Sequence, residues 1–287
     1  MKNSIYVFML VIMMLSITSC STKLTYNNLD WIVSWYIDDY VKLTDTQENE
    51  FDKKLETLLF WHRKTELKNY ITQIKTIQID LNKGITQPNI ENYFKSVKRF
   101  LEVALVKAEP DIVKLAYSLS DKQAGSFLAE FEQQNIIKIE KIEEESKEKR
   151  SEKRFEKFEE QVTSFVGKLN TQQKKLLEEG NNQLLSSFQE RIQFRRQWAD
   201  AIRGAYVIRA RSLGDTDKKK KDFELALKQS ILESNSLRSV KYSNILDHNQ
   251  RVRINTLYQI ITSLDEQQLK HLNEKLNETI EDLEALL

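Results

Sequence analysis

Apolar residues along this chain recur at steps of three and four, which is the spacing of one face of an α-helix. The pattern is clear over 29–40 and 55–81, and it continues from Ile90 to Tyr117. No stretch of the sequence alternates apolar and polar residues for long enough to indicate a β-strand. The chain has only 6 glycines and 2 prolines in 287 residues, so few points force a helix to end. We therefore predict an all-α protein, an elongated bundle of long antiparallel helices.

Glycine and proline mark several expected helix ends. Gly84 and Pro88 separate one helix from the next, since proline is tolerated in a first turn, where its missing N–H costs nothing. Pro110 lies inside an otherwise helical pattern, so we expect a kink or a break near Glu109. A further loop is expected at 213–217, where glycine, aspartate and threonine follow one another.

A short motif occurs four times, and each copy predicts a helix start. It consists of an apolar residue, a capping residue, two polar residues and a glutamine. In such a capping box the cap side chain accepts a hydrogen bond from the backbone N–H three residues later, and the glutamine accepts one from the backbone N–H of the cap. The cap and glutamine pairs are Thr44 and Gln47, Ser120 and Gln123, Asn170 and Gln173, and Asp265 and Gln268.

One segment of the chain is polar without interruption. All twelve residues of 143–154 are polar or charged. A helix that is polar on every side protrudes into solvent or connects two packed regions. We therefore expect a protruding charged helix there, within a single helical domain over 20–287. If this helix acts as a bridge, it divides the domain into sub-bundles at 20–142 and 155–287.

The beginning of the chain has the pattern of a bacterial lipoprotein signal. Lys2 precedes an apolar run from Ile5 to Ile17 that is too short to span a membrane, and small residues lead to Cys20. We expect a signal peptide over 1–19 and a lipid on the Cys20 thiol after cleavage. The alternative is a free thiol at the end of an ordinary secretory signal. Cys20 is the only cysteine, so no disulfide is expected.

The lipid predicts where the protein resides. Several acyl chains would hold it on a membrane, since each buried CH₂ contributes about 0.8 kcal/mol. Ser21 follows Cys20, whereas an acidic residue at that position is the familiar signal for retention at the inner membrane. We therefore expect the protein on the periplasmic side of the outer membrane, with the inner membrane as the less favoured location.

Charge and chemistry exclude several classes of function. The 44 basic residues nearly balance the 43 acidic ones, which argues against a nucleic-acid binder. His62, His248 and His271 are far apart in the sequence, and none stands in a metal-binding motif. The sequence contains neither a glycine-rich phosphate loop nor a G-x-S-x-G motif. We expect no enzymatic activity, no metal and no cofactor.

Tryptophans form the first set of candidate binding residues. Trp31 and Trp35 lie four residues apart on the first predicted helix of the mature chain. Tryptophan rings are favoured in the headgroup region of a bilayer, so this helix is a candidate for contact with the membrane. The alternative is a core helix, which the acidic pair Asp38 and Asp39 favours. Trp198 is the third candidate interface aromatic.

Arginines form the second set. Arg191 and Arg195 share one helix face, and Arg196 and Arg203 share another. Guanidinium groups bind phosphate and carboxylate groups, so lipid A, a phospholipid or an anionic glycan is a candidate ligand. The alternative is internal pairing with one of four acidic residues, which are Asp38, Asp39, Asp200 and Glu190.

Two resemblances add expectations about function. The motif at 43–47, L-T-x-x-Q, resembles the hallmark of the periplasmic Spy and CpxP proteins, which are helical chaperone and stress-sensing factors. Separately, the segment C-S-T-K-L-T-Y-N-N-L-D-W at 20–31, with W-Y-I-D-D-Y at 35–40, W-H-R at 61–63 and R-R-x-W at 195–198, resembles the uncharacterised proteobacterial lipoproteins grouped as domain of unknown function 6279. That family implies a largely helical envelope lipoprotein with no established activity.

The sequence therefore predicts a lipid-anchored, periplasm-facing, non-enzymatic interaction or scaffold module. Its expected partners are the membrane, through the lipid on Cys20, and another envelope protein. One alternative is a Spy-like holdase, and the other is a binder of anionic lipid or glycan through the arginines of 191–211.

Overall fold

The computed structural model describes residues 25–211 and 216–287, and the described chain folds into α-helices without any strand. The predicted all-α bundle is confirmed. The predicted signal peptide, Cys20 and most of the predicted loop at 213–217 lie outside the described residues. The helices are α1 (Leu29–Asp38), α2 (Asp45–Trp61), α3 (Leu67–Lys83), α4 (Gln87–Ser118), α5 (Asp121–Glu143), α6 (Lys147–Val166), α7 (Thr171–Gln183), α8 (Phe188–Arg211), α9 (Thr216–Leu232), α10 (Val240–Thr262) and α11 (Glu266–Glu284).

The four predicted capping boxes are all present, and they start α2, α5, α7 and α11. A fifth box starts α4, where Thr86 is the cap and Asn89 takes the place of glutamine. Gly84, which ends α3, has a φ of +91° that favours glycine over other residues. Helix boundaries in this chain are therefore set largely by local side-chain chemistry.

Two clusters of buried apolar residues form the core. The first combines α3, the beginning of α4, α6, α7, the end of α10 and α11, and the second combines the end of α4 with α5, α8 and α9. The long helix α4 contributes to both, through Ile90 in the first cluster and Val113 in the second. The clusters do not follow the predicted sub-bundles 20–142 and 155–287, because each one combines helices from both ranges.

The charged segment differs from its prediction in one respect. The chain does not continue as one helix through 143–154, because α5 ends at Glu143 and α6 begins at Lys147. Ser146 caps the new helix by accepting a hydrogen bond from the backbone N–H of Lys149 at 3.2 Å. A serine within a run of charges is a strong N-cap, and this signal outweighs the helix propensity of its neighbours.

Of the kink or break predicted near Glu109, the break does not occur at Pro110. Helix α4 continues from Gln87 to Ser118 with Pro110 inside it. Pro110 and Val106 both lie on the exposed face, where water can bind the Val106 carbonyl that proline leaves without a donor. A long amphipathic helix therefore tolerates the proline on its solvent side.

A π-helical turn at His62–Glu66 joins α2 to α3. The His62 ring joins two tyrosines, with Nδ1 2.8 Å from the Tyr26 hydroxyl and Nε2 2.9 Å from the Tyr70 hydroxyl. Burial lowers the pKa of His62, although Glu66 acts in the opposite direction. This turn therefore fastens the first described residues of the chain to the body.

Helices α7 and α10 approach closely at Gly180. A Cβ added there would lie 3.0 Å from the Cβ of Thr256 and closer still to its hydroxyl oxygen. We expect Gly180→Ala to lower the free energy of unfolding by about 1–3 kcal/mol through overpacking. Gly125→Ala is the matched control, because no atom lies within 4 Å of its added Cβ, and it should stabilise the protein by up to about 1 kcal/mol. Urea unfolding of both variants tests the pair, and equal effects would contradict the close approach.

None of the helices in 25–211 and 216–287 has a stretch long and apolar enough to cross a membrane.

Candidate functional site

The predicted arginine segment forms most of α8, and its two predicted faces behave differently. Arg196 and Arg203 lie on the surface, where Arg196 donates two hydrogen bonds to Glu132 and Arg203 pairs with Asp200. The predicted alternative of internal pairing with Asp200 is therefore confirmed for Arg203. Exposed pairs of this kind contribute about 0–1 kcal/mol each and leave little capacity for a ligand.

Arg191 points into the protein instead. Its guanidinium group lies 5.5 Å above the ring centre of Phe188, and its Nη1 atom is buried without an acceptor among the described residues. Burial lowers the pKa of Arg191, and the charge of Arg195 lowers it further. Desolvation disfavours the charged form of a group, so a nearby anion would stabilise this arginine.

Arg195 follows one turn later on the same face. Its Nε donates to Asn135, a residue of α5 with no exposed surface, and its guanidinium lies 4.1 Å above the ring centre of Phe131. Its Nη2 atom is buried, and no described acceptor reaches it. Arg195 is thus held in place by the Asn135 amide and the Phe131 ring, and it also interacts with the Tyr40 hydroxyl.

A third arginine, Arg238, joins this group from the segment before α10. Its guanidinium lies 5.7 Å from the ring centre of Phe194 and 5.9 Å from that of Tyr242. The Nε atom of Arg238 is buried and has no acceptor in the described part of the chain. Tyr242 interacts electrostatically with both Arg191 and Arg238, and Arg195 lies close enough to Arg191 for their charges to interact. We call Arg191, Arg195 and Arg238 the arginine cluster.

Local structure fixes the position of Arg238. Ser239 caps α10 by accepting a hydrogen bond from the backbone N–H of Tyr242 at 3.1 Å. A short 3₁₀ helix, Ser234–Leu237, precedes the cap, and Arg238 is the extended residue between them. The cap therefore sets where α10 begins and places Arg238 beside α8.

Two of the acidic residues near the cluster pair with cations outside it. Glu132 binds Arg196, and Glu190 binds Lys241, which lowers the pKa of Glu190. Burial lowers the pKa of Arg238, and the charges of Tyr242 and Asp247 act in the opposite direction, but Asp247 accepts no hydrogen bond from the buried Nε. Positive charge therefore exceeds negative charge around the cluster, in a protein that is nearly neutral as a whole.

The tryptophans occupy two different environments. Trp198 packs against the second core cluster and donates its indole N–H to the Ser230 carbonyl at 3.0 Å, so it belongs to the core. Trp31 and Trp35 are 67% and 58% exposed and stack with ring centres 6.4 Å apart. Since α1 contains no buried residue, the alternative of a core helix is wrong for this element.

The capping glutamines form a contact that their spacing did not predict. The side-chain amides of Gln173 and Gln268 donate to each other at 2.8 and 2.9 Å, in a fully buried position. Gln47 and Gln123 pair in the same way at the start of α2 and α5. Each pair joins the N-termini of two helices, so these boxes organise the fold. No group of three metal-ligating side chains occurs in the described ranges.

The protein is thus an all-α bundle that contains a cluster of buried guanidinium groups. Residues 39–243 match the model of a family of unknown function, DUF6279, and the chain belongs to that family. The predicted resemblance to domain of unknown function 6279 is therefore confirmed, and the match includes all three arginines of the cluster. No curated protein and no solved structure matched the chain.

Sequence reasoning found two members of the cluster and missed the third. Helical spacing separated Arg191 and Arg195 from Arg196 and Arg203, because residues four apart share a face. Arg238 lies beyond the next helix, and a lone arginine in a loop carries no periodic signal. The one feature of the sequence that indicates the position of Arg238 is Ser239, a capping residue directly after it that marks the start of a helix.

Proposed function

We propose that this protein is a lipid-anchored, non-enzymatic binding protein that faces the periplasm from the outer membrane. In this proposal its helical body holds an anionic group of an envelope component, such as a phosphate or a carboxylate, at the arginine cluster. The observation that supports it best is the set of buried guanidinium N–H groups that have no acceptor among residues 25–211 and 216–287.

Energetics favour a ligand at this position. A buried donor without a partner costs about 1–3 kcal/mol, and the cost is higher for a charged group. A phosphate or carboxylate oxygen would accept from these donors and form charge-assisted hydrogen bonds, which are about twice as strong as neutral ones. Arg191 and Arg238, which both interact electrostatically with Tyr242, are the first candidates to bind such a group.

The proposed anchor rests on the sequence of residues 1–20. The first described helix is consistent with it, because the exposed Trp31 and Trp35 follow Cys20 by eleven and fifteen residues. Aromatic rings near a lipid anchor are suited to the headgroup region. The envelope component that carries the anion is then another molecule at the same membrane.

A pair of matched double variants tests the binding proposal. Arg191→Met with Arg238→Met removes the two buried charges, whereas Arg196→Met with Arg203→Met removes two surface charges from the same region. Inorganic phosphate should raise the thermal unfolding midpoint of the wild-type protein in non-ionic detergent, because a ligand that binds only the folded state stabilises it by about 2.7 kcal/mol at one hundred times its Kd. The surface variant should keep this rise, and the buried variant should lose it.

Micelles that contain phosphatidylglycerol distinguish a lipid headgroup from a free anion. A rise in midpoint with phosphatidylglycerol but not with phosphatidylcholine would assign the site to anionic lipid. If neither phosphate nor anionic lipid shifts the wild-type midpoint, or if both double variants respond equally, the binding proposal is wrong.

The second candidate function is a Spy-like holdase. The exposed aromatic face of α1 supports it, because Trp31, Trp35 and Tyr36 are all more than half exposed. Such a face can cover apolar surface on an unfolded client. If the protein at several-fold molar excess does not delay aggregation of a model client, this candidate should be abandoned.

A further inference from the structure

The first core cluster contains an apolar cavity. It has a volume of about 250 Å³ and lies among α3, α4, α6, α10 and α11. None of the residues that line it carries a charge. Its wall is formed mainly by aliphatic and aromatic side chains, among them Ile77, Phe94, Val97, Phe100, Phe165 and Leu257.

Several of the side chains that line this cavity are partly exposed to solvent. Phe94, Val97 and Leu101 on α4 and Phe165 on α6 are only half-buried, whereas the opposite wall includes the fully buried Ile260. The cavity is therefore accessible from the surface between α4 and α6. An apolar ligand that enters here would contact side chains from five helices.

The lining restricts the chemistry of the ligand. An apolar cavity of about 150 Å³ is already large enough to bind benzene. A polar ligand would lose its hydrogen bonds to water with little replacement here, so it would bind poorly. A flexible hydrocarbon chain fits both requirements, because it needs no partner atoms and adapts to an irregular wall.

The described chain begins beside this cavity. Tyr26 packs against the first core cluster and bonds to His62, which in turn bonds to Tyr70 in the cavity wall. The Arg63 guanidinium lies 5.3 Å above the ring centre of Tyr26 and adds to the attachment. Tyr26 follows Cys20 by only six positions, a length that spans at most about 22 Å. A lipid on Cys20 is therefore tethered within reach of the cavity.

We infer that one acyl chain of the lipid on Cys20 inserts into this cavity, while the remaining chains stay in the bilayer. The inference rests on the proposed lipid anchor. Tethering favours this occupant over free lipid, because a short linker gives an effective concentration in the millimolar range. The inserted chain would hold the helical body close to the membrane and complete its first core cluster.

Photocrosslinking of the full-length acylated protein in bacterial membranes tests the inference. A benzophenone amino acid is placed at Phe165 in the cavity wall, and at Phe60 as the control, because Phe60 is 64% exposed and does not line the cavity. After irradiation, mass spectrometry of the peptides should show the Phe165 probe joined to the lipopeptide that begins at Cys20. The Phe60 probe should give at least several-fold less of this adduct.

Three results would overturn the inference. They are an adduct of the Phe165 probe with free phospholipid alone, an adduct with another protein alone, and no adduct above the Phe60 level. The mass of the uncrosslinked N-terminal peptide in the same sample shows whether Cys20 is acylated. Failure of the anchor is thus distinguished from failure of the cavity proposal.

Two valine variants on α4 add an independent check. Val97→Phe places a larger side chain in the cavity, whereas Val103→Phe makes the same change at a residue of this helix that does not line it. Val97→Phe should reduce the adduct at Phe165 several-fold, and Val103→Phe should leave it unchanged. Equal yields in the two variants would show that the adduct does not form inside the cavity.

Discussion

Cys20→Ala should move the protein from the membrane pellet to the soluble periplasmic fraction, or leave an uncleaved precursor. The change removes the only thiol in the chain, which is the proposed site of lipid attachment. Fractionation of cells and immunoblotting of pellet and supernatant measure the effect, which we expect to be nearly complete.

Ser19→Ala is the matched control for this variant, because it keeps a small residue before the cleavage site and leaves Cys20 in place. Its distribution should equal that of the wild-type protein. If Cys20→Ala is processed normally and still sediments with the membrane, the lipid is not what holds the protein there. The anchor would then have to be reassigned, and the acyl-chain inference would be lost with it.

The second large effect is expected at the buried glutamine pair. Gln173 has no exposed surface, and it bonds to Gln268, to the Asn170 backbone N–H and to the Ser263 carbonyl. Gln173→Ala leaves these buried groups without partners, and each such group costs about 1–3 kcal/mol. We expect the free energy of unfolding to fall by about 3 kcal/mol. Urea unfolding followed by circular dichroism measures the change.

The other glutamine pair supplies the control. Gln47 makes the same kinds of hydrogen bond with Gln123 and the Ser118 carbonyl, but both glutamines are partly exposed. Water can replace the lost bonds there, so Gln47→Ala should cost about 1 kcal/mol, as for an ordinary helix cap. Equal losses for Gln47→Ala and Gln173→Ala would show that burial of the pair contributes nothing.

The paired capping boxes were predictable from the sequence only in part. The capping boxes were predictable because a cap and its glutamine are three residues apart, and their chemistry is local. The contact between Gln173 and Gln268 joins residues 95 positions apart, and only the packed fold brings them together. The glutamine therefore has a second role, the joining of two helix N-termini, that no local pattern reveals.

The environment of the α8 arginines was also predictable from the sequence only in part. The spacing of the α8 arginines predicted two faces, and the structure places one face inward and the other on the surface. The spacing did not predict which of the two faces is buried, since arginine is rarely buried without a carboxylate partner. For Trp31 and Trp35, apolar periodicity alone does not distinguish a face that packs on a core from one that stays exposed.

The signal of the Arg238 Nε–H reports directly on whether the arginine cluster binds an anionic group. With nitrogen-15 arginine in the detergent-solubilised protein, the Nε–H resonances of Arg238 and Arg196 can be assigned from their methionine variants and followed during titration with inorganic phosphate. The Arg238 resonance should shift and saturate, because no described residue accepts from its Nε. The Arg196 resonance should not respond, because its Nε already donates to Glu132 at 3.0 Å. An unchanged Arg238 resonance, with phosphate and with phosphatidylglycerol alike, would contradict the account.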